Sequence, residues 1–254
     1  LGIATQAVLA LQEGTLLAAR SLGGVWRGPR YAADAVRQMD AIGFGSASIV
    51  LLTGFFTGAV LCVQTYPSMK EFGAQNQTGQ LVALALLREL GPVITALMVA
   101  GRVGSSIAAE LGSMAVSEQI DALRALGVDP LRKLVAPRLI ALLTMLPMLT
   151  LISNAAGIVG GGTVATTLYG QPMETFIASV LRGIQTEDVA AGLVKPLVFA
   201  LIIGTVACRQ GMKTSGGTVG VGGATTRSVV HSSILVIVAD FFLAKALQVF
   251  FGVS

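Results

Sequence analysis

Charge, histidine and cysteine are all scarce in this sequence, and each shortage removes a class of function. Asp, Glu, Lys and Arg together make up 12% of the 254 residues, about half the share found in a soluble globular domain. There is one histidine, His231, and there are two cysteines, Cys62 and Cys208. A single imidazole cannot build a metal site. Two thiols at far ends of different apolar runs make no disulfide framework and read as buried, unreactive groups. The phosphate-binding pattern G-x-x-x-x-G-K-[ST] does not occur, so any ATP the protein depends on is hydrolysed elsewhere. The acids are scattered, no Ser/His/Asp set is brought together by spacing, and no catalytic residue emerges. His231 stands among Ser228, Ser232 and Ser233, where an interfacial hydrogen bond is the expected role.

What the chain has in abundance is apolar length. Residues of the AVILMFWYC set fill 54% of positions and the mean hydropathy is +0.78. A helix needs about 20 mostly apolar residues to cross a bilayer, and five stretches qualify: Ser46–Tyr66, Thr78–Ala109, Leu139–Tyr169, Val189–Cys208 and Val229–Phe251. The runs lack the alternation of an outer-membrane barrel. The expected fold is therefore an all-α integral membrane protein with five transmembrane helices. The organisation expected is one transmembrane domain over 1–254, with a cytoplasmic or interfacial segment over 1–45 and a five-span core over 46–254.

Five spans put the termini on opposite faces, and the Lys/Arg distribution orients them. Twelve of the seventeen Lys and Arg residues fall on one face and two, Lys70 and Arg182, on the other. This places the N-terminus in the cytoplasm and the C-terminus outside. The net charge of +4 then reflects membrane orientation and gives no reason to expect nucleic-acid binding.

Two further segments have helical periodicity. Tyr31, Ala32, Ala35, Val36 and Met39 form an apolar stripe after Pro29, suited either to a helix on the inner leaflet anchored by Trp26 and Tyr31 or to an ordinary cytoplasmic helix. Met173, Phe176, Ile177, Val180, Leu181 and Ile184 follow Pro172 at helical spacing. That outer amphipathic helix could shield a cavity mouth, dock an external partner, or pack on the membrane surface. The glycine-rich stretch 211–223 reads as a flexible cytoplasmic turn, with Thr225 or Thr226 capping span 5. Small residues recur at four-residue steps in Gly104, Ala108 and Gly112, and again in Gly157 and Gly161. They argue for close helix packing, within the chain or across a dimer.

Four ionisable residues lie well inside the spans: Arg88, Glu89, Lys195 and Asp240. Counting about 1.5 Å per residue puts Glu89, Lys195 and Asp240 between the midplane and the outer leaflet. Two cations and two anions at one depth can neutralise one another. They are either ion pairs that fix helix register or a polar patch in an outward-facing cavity suited to an amphipathic head group. Pro92 favours the cavity, because it removes the hydrogen bond due to the Arg88 carbonyl and predicts a helix kink there. Lys245, near the outer end of span 5, can snorkel.

The segment from Ala108 to Arg138 is the one long polar insert in the apolar centre. Ser117 is a suitable N-cap, Glu118 and Asp121 suit the positive end of a helix, and Gly127 with Asp129-Pro130 stops it. A helix of about ten residues is only about 15 Å long and cannot span. Ile120, Leu123 and Leu126 form its apolar ridge, and Pro137 opens span 3. Such a helix is a lever between two spans.

Five motifs, Glu110-Leu-Gly, Glu118-Gln-Ile-Asp-Ala-Leu, Gly127-Val-Asp-Pro-Leu, Arg88-Glu-Leu-Gly-Pro and Thr225-Thr-Arg-Ser-Val-Val-His-Ser-Ser233, resemble the MlaE/YrbE-type permeases. These are membrane subunits of MCE-associated ABC transporters that move phospholipids and related lipids between envelope membranes. The resemblance runs from about Trp26 to the C-terminus. It implies a homodimer in the bacterial inner membrane, with ABC ATPase subunits on the cytoplasmic side and a ring of MCE-domain proteins on the outer side. No cofactor is expected on this chain, and ATP with Mg would bind the partner ATPase. Glu118, Gln119, Ile120, Asp121 and Leu123 would form the coupling helix. Arg88, Glu89, Lys195 and Asp240 match the family's intramembrane charges, and Leu61, Gln64, Met69 and Phe72 would line the lipid cavity. Two rival functions stay open: a self-sufficient proton-coupled lipid transporter and a scaffold for the MCE protein.

Overall fold

The computed structural model describes residues 32–251. Five of its helical segments are long and apolar enough to cross a membrane: Ala32–Glu71, Gln75–Val116, Leu131–Thr167, Thr186–Met212 and Gly217–Val249. Among the described residues there is no strand. Helices satisfy every backbone polar group internally, which a lipid environment demands. Their threonines obey the same rule: Thr53, Thr57, Thr65 and Thr150 each donate to the carbonyl four residues back, at 2.6–2.9 Å.

In chain order the helices are α1 (Ala32–Glu71), α2 (Thr78–Ala85), α3 (Gly91–Val99), α4 (Ser105–Val116), α5 (Gln119–Ala125), α6 (Ala136–Thr167), α7 (Met173–Gly183), α8 (Thr186–Met212) and α9 (Gly217–Phe251). Three π-helical turns interrupt the series, at Leu86–Leu90, Ala100–Gly104 and Leu131–Val135. The second span is thus α2, a π-turn, α3, a second π-turn and α4. Pro92 follows the first π-turn, where the i−4 bond it cannot make is replaced locally by wider turns.

The chain divides into two compact units. Among the described residues, one comprises 32–43 with Val99–Met145 and Val198–Val236. Its core holds Leu111, Leu139, Leu142, Ile203, Ala207 and Cys208, all fully buried. The Gly104, Ala108, Gly112 row packs within the chain here. A Cβ on Gly211 would meet the carbonyl of Ala108, one on Gly112 would meet Thr214, and the Ser228 hydroxyl donates to the Gly104 carbonyl at 3.2 Å.

The other unit comprises Phe44–Met98, Leu146–Leu197 and the chain from Ile237. Helices α1 and α6 meet backbone to backbone, because Gly58 lies on Gly157, Gly54 on Ser153 and Gly160 on the Phe55 carbonyl. Cys62, Val82, Ala83, Leu86, Ala165, Phe176 and Val180 form one buried cluster. Helix α7 turns Phe176, Ser179 and Val180 inward and leaves Ile177 and Leu181 exposed. Tyr66 and Tyr169 stack at 4.1 Å.

Four details differ from the sequence reading. Helix α1 runs unbroken from Ala32 to Glu71, so the stripe Ala32, Ala35, Val36 and Met39 is its first turns and no separate helix; Trp26, Pro29 and Tyr31 lie outside the described residues. The stretch 217–223 is helical and belongs to α9, and Thr225 and Thr226 sit inside it, donating to the Gly222 carbonyl. The turn shrinks to 213–216, with positive φ at Gly216 and Gly217 making the reversal that a side chain would resist. Ser117 ends α4, and Pro137 stands after the π-turn Leu131–Val135. The third span begins at Leu131, eight residues before the Leu139 expected, where the Asp129 Oδ1 accepts the Leu131 N–H at 2.9 Å.

Candidate functional site

Two places concentrate chemistry, and each lies within one unit. The first is a cavity of about 390 Å³ lined by Arg88, Glu89, Glu187, Asp188, Lys195 and Lys245 beside Phe241. The π-turn Leu86–Leu90 carries Arg88 and Glu89, α8 carries Asp188 and Lys195, and α9 carries Asp240 and Lys245.

Lys195 is the centre of the arrangement. Its side chain is 1% exposed, and Nζ lies 2.6 Å from Oε2 of Glu89 and 3.0 Å from Oδ1 of Asp240. An ammonium withdrawn this far from water is held only by its partners. One cation faces two carboxylates, so the ionised triad has one negative charge in excess. Glu89 is 47% exposed and Asp240 19%. Of the two, Glu89 is the carboxylate open to an incoming group.

Arg88 does not join the triad. Its Nε donates to Oδ1 of Asp188 at 2.6 Å, while the other Asp188 oxygen accepts the Gln185 N–H at 2.9 Å. Asp188 therefore holds Arg88 and caps α8, in the reach-back position of a capping box. The sequence reading passed over this residue because its fourth span began at Val189. The signal was available: an acid three residues after Gln185, at the start of a long apolar run. Lys245 is exposed and donates to Gln248 at 3.4 Å, at the cavity margin.

With Arg88 35% exposed and Glu89 about half exposed, and with Lys245 and Glu187 at its margin, the cavity presents accessible groups of both signs beside an aromatic ring. A phosphodiester can meet the guanidinium and an ammonium the carboxylate. The four residues expected to line a lipid cavity are elsewhere. Leu61 is half-buried against the cluster around Cys62, Met69 is half-buried, Gln64 is exposed and Phe72 is 79% exposed. None lines this cavity.

The second place is α5. Glu118 is its N-cap, with its carbonyl accepting the Ala122 N–H. It is the one non-glycine residue with positive φ among the described residues, at 58°. At the other end Gly127 donates to the Arg124 carbonyl and Val128 to the Leu123 carbonyl, both at 3.0 Å. This is a Schellman closure, and the φ of +75° at Gly127 explains why glycine is there. The helix is seven residues long. Ile120 is 4% exposed and Leu123 half-buried, whereas Glu118, Gln119 and Asp121 are exposed. Ile120 and Leu123 thus anchor α5 to its own unit and Ile120 offers no surface to a partner, whereas Leu126, expected as the third residue of the apolar ridge, is 78% exposed because the chain turns away there towards Gly127.

Ion pairs brace the segments beside α5. Arg138, 5% exposed, reaches Glu110 at 2.7 Å and donates to the Leu134 carbonyl at 2.6 Å. Lys133 reaches Asp34 at 2.7 Å. These cations looked like loop charges in the sequence. They stand instead at the base of the third span, paired to the second span and to α1. His231 shares a hydrogen bond of 3.0 Å with Gln210. Among the described residues no group of three or more His, Cys, Asp or Glu could hold a metal ion.

Comparison with known proteins adds an independent finding. The family model described as Permease MlaE matches residues 35–246. A probable ABC transporter permease protein of Rickettsia typhi is 41% identical over 227 residues, covering 89% of this chain and 88% of its own. Another from Synechocystis is 43% identical over 211 residues, 83% and 80% of the two chains. The intermembrane phospholipid transport system permease protein MlaE of Haemophilus influenzae is 41% identical over 209 residues, 82% and 80% of the two chains.

Proposed function

The chain belongs to the MlaE permease family, and on that premise we propose that it is the phospholipid-moving membrane subunit of an ATP-driven transporter. The subunit itself performs no chemistry. ATP and Mg bind a partner ATPase on the cytoplasmic side, a second copy of this chain completes the permease, and an MCE-domain ring receives or delivers lipid on the outer side. The membrane is the bacterial inner membrane, with the N-terminus cytoplasmic.

The observation that carries this reading is α5. A seven-residue helix that buries Ile120 and turns Glu118, Gln119 and Asp121 outward is held rigidly and shows its polar face to a partner. Its C-terminal closure at Gly127 and the Arg138–Glu110 bridge resist local bending, so a push on α5 acts on both spans it joins. The charged cavity supplies the other half: Arg88 meets a lipid phosphate and Glu89 an amine. Purified with its ATPase, the Glu118→Lys variant is expected to lose lipid-stimulated ATP turnover while the complex stays assembled. Unchanged stimulation would remove α5 from the coupling path.

One observation favours a second reading, a proton-coupled transporter working alone: Lys195 lies buried between two carboxylates. That reading requires lipid flux driven by a pH gradient in vesicles holding this chain alone, abolished by Asp240→Asn.

A further inference from the structure

Asn154 carries a polar group with no partner in this conformation. It lies in α6, 3% exposed, and neither its Oδ1 nor its Nδ2 makes a hydrogen bond. Its Oδ1 presses against Gly91 so closely that any Cβ there would overlap it. Gly91 is the residue that closes the π-turn Leu86–Leu90, its N–H bonded to the Leu86 carbonyl. Pro92 follows and has no N–H to give. On another side of the same turn, a Cβ on Gly192 of α8 would stand 2.8 Å from the Leu87 carbonyl. The π-turn is therefore gripped by two helices through glycine contacts, with an unpaired carboxamide beside its closing residue.

A buried amide without partners opposes the conformation that contains it, and an apolar side chain of similar size would relieve that cost. Its presence beside a backbone irregularity points to another conformation in which it is paired. A π-turn is one residue longer than an α-turn, and passing that residue along a helix rotates the intervening segment by about 100° per residue. We infer that Leu86–Leu90 switches between two registers, and that Asn154 is the positioning residue whose carboxamide pairs with backbone groups exposed in the second. The rotation swings Arg88 and Glu89 together away from Asp188 and Lys195. Both sets of ion pairs then open in one step. The inference deepens the transport reading and rests on it for its purpose, although the register change itself can be measured separately.

The test uses the permease in complex with its ATPase and three readouts on Asn154→Leu: thermal unfolding, backbone hydrogen exchange over 86–93, and ATP-dependent lipid transfer between vesicles. Unfolding at or above the wild-type temperature is expected, because the unpaired amide is gone. Exchange slows by about tenfold or more and transfer falls by a similar factor, because the second register loses its partner. Asn154→Ala removes the amide without adding bulk beside Gly91 and gives the same slowing of exchange and transfer. Exchange at the wild-type rate in both variants overturns the inference, as does wild-type transfer in both. Slowed exchange in a complex whose wild type moves no lipid would sink the transport reading and leave the register change standing.

Discussion

Among single residues, Lys195 decides how the charges of the cavity pair. A lysine 1% exposed is tolerable because Glu89 and Asp240 together replace its hydration, and removing the ammonium leaves two buried or half-buried carboxylates facing each other. Lys195→Met is expected to destabilise the protein by about 3–5 kcal/mol, the usual cost of breaking a buried ion pair from one side. Thermal unfolding in detergent checks this, and an unfolding temperature equal to wild type would mean the triad holds nothing together. Much of the triad was legible in the sequence, because ionisable residues stand out in apolar runs and their depths can be counted. Its partition was not. Arg88 and Glu89 are adjacent in sequence, yet the π-turn sends one to Asp188 and the other to Lys195. No periodicity rule for a regular helix anticipates that divergence.

Elements were legible where they are long and apolar, and obscure where a cap or close packing decides their ends. The five spans follow from run length alone. Their starts do not: α9 begins twelve residues before the Val229 expected, since glycines in 217–223 continue a helix that composition alone reads as a turn. Helix α5 was legible in place and terminator, but its N-cap fell one residue later because Ser117 closes α4 and Glu118 takes the left-handed turn. Gly127 gives a direct test of that closure. Gly127→Ala forces a Cβ into positive φ at a cost of about 1–2 kcal/mol, and lipid-stimulated ATP turnover should fall while basal turnover persists. Equal stimulation in the variant would show that the Schellman closure is dispensable for coupling. The α1–α6 contact makes a harsher prediction. Gly58→Leu has no room against the Gly157 backbone, so overpacking should cost about 3 kcal/mol or more, read as a collapse in folded yield on size-exclusion chromatography.

For the whole molecule, composition excluded most functions before any motif was read. A chain with 12% charged residues and one histidine has few charged groups, and among the described residues these line a cavity with ion-paired walls, stand on the outward face of a short helix and form the Arg138–Glu110 and Lys133–Asp34 pairs beside it. What sequence patterns could not show is how the polar groups pair across helices. Arg138 and Lys133 looked like orienting loop charges, and the fold binds them to Glu110 and Asp34. The transport proposed is movement of phospholipid by this chain only when a partner hydrolyses ATP. The most direct measurement is transfer of a fluorescent phospholipid between vesicles carrying the permease with its ATPase and MCE partners. Transfer is expected with ATP, and none with a non-hydrolysable analogue or in vesicles holding the permease alone under a pH gradient. Transfer by the isolated permease without ATP would contradict the proposal.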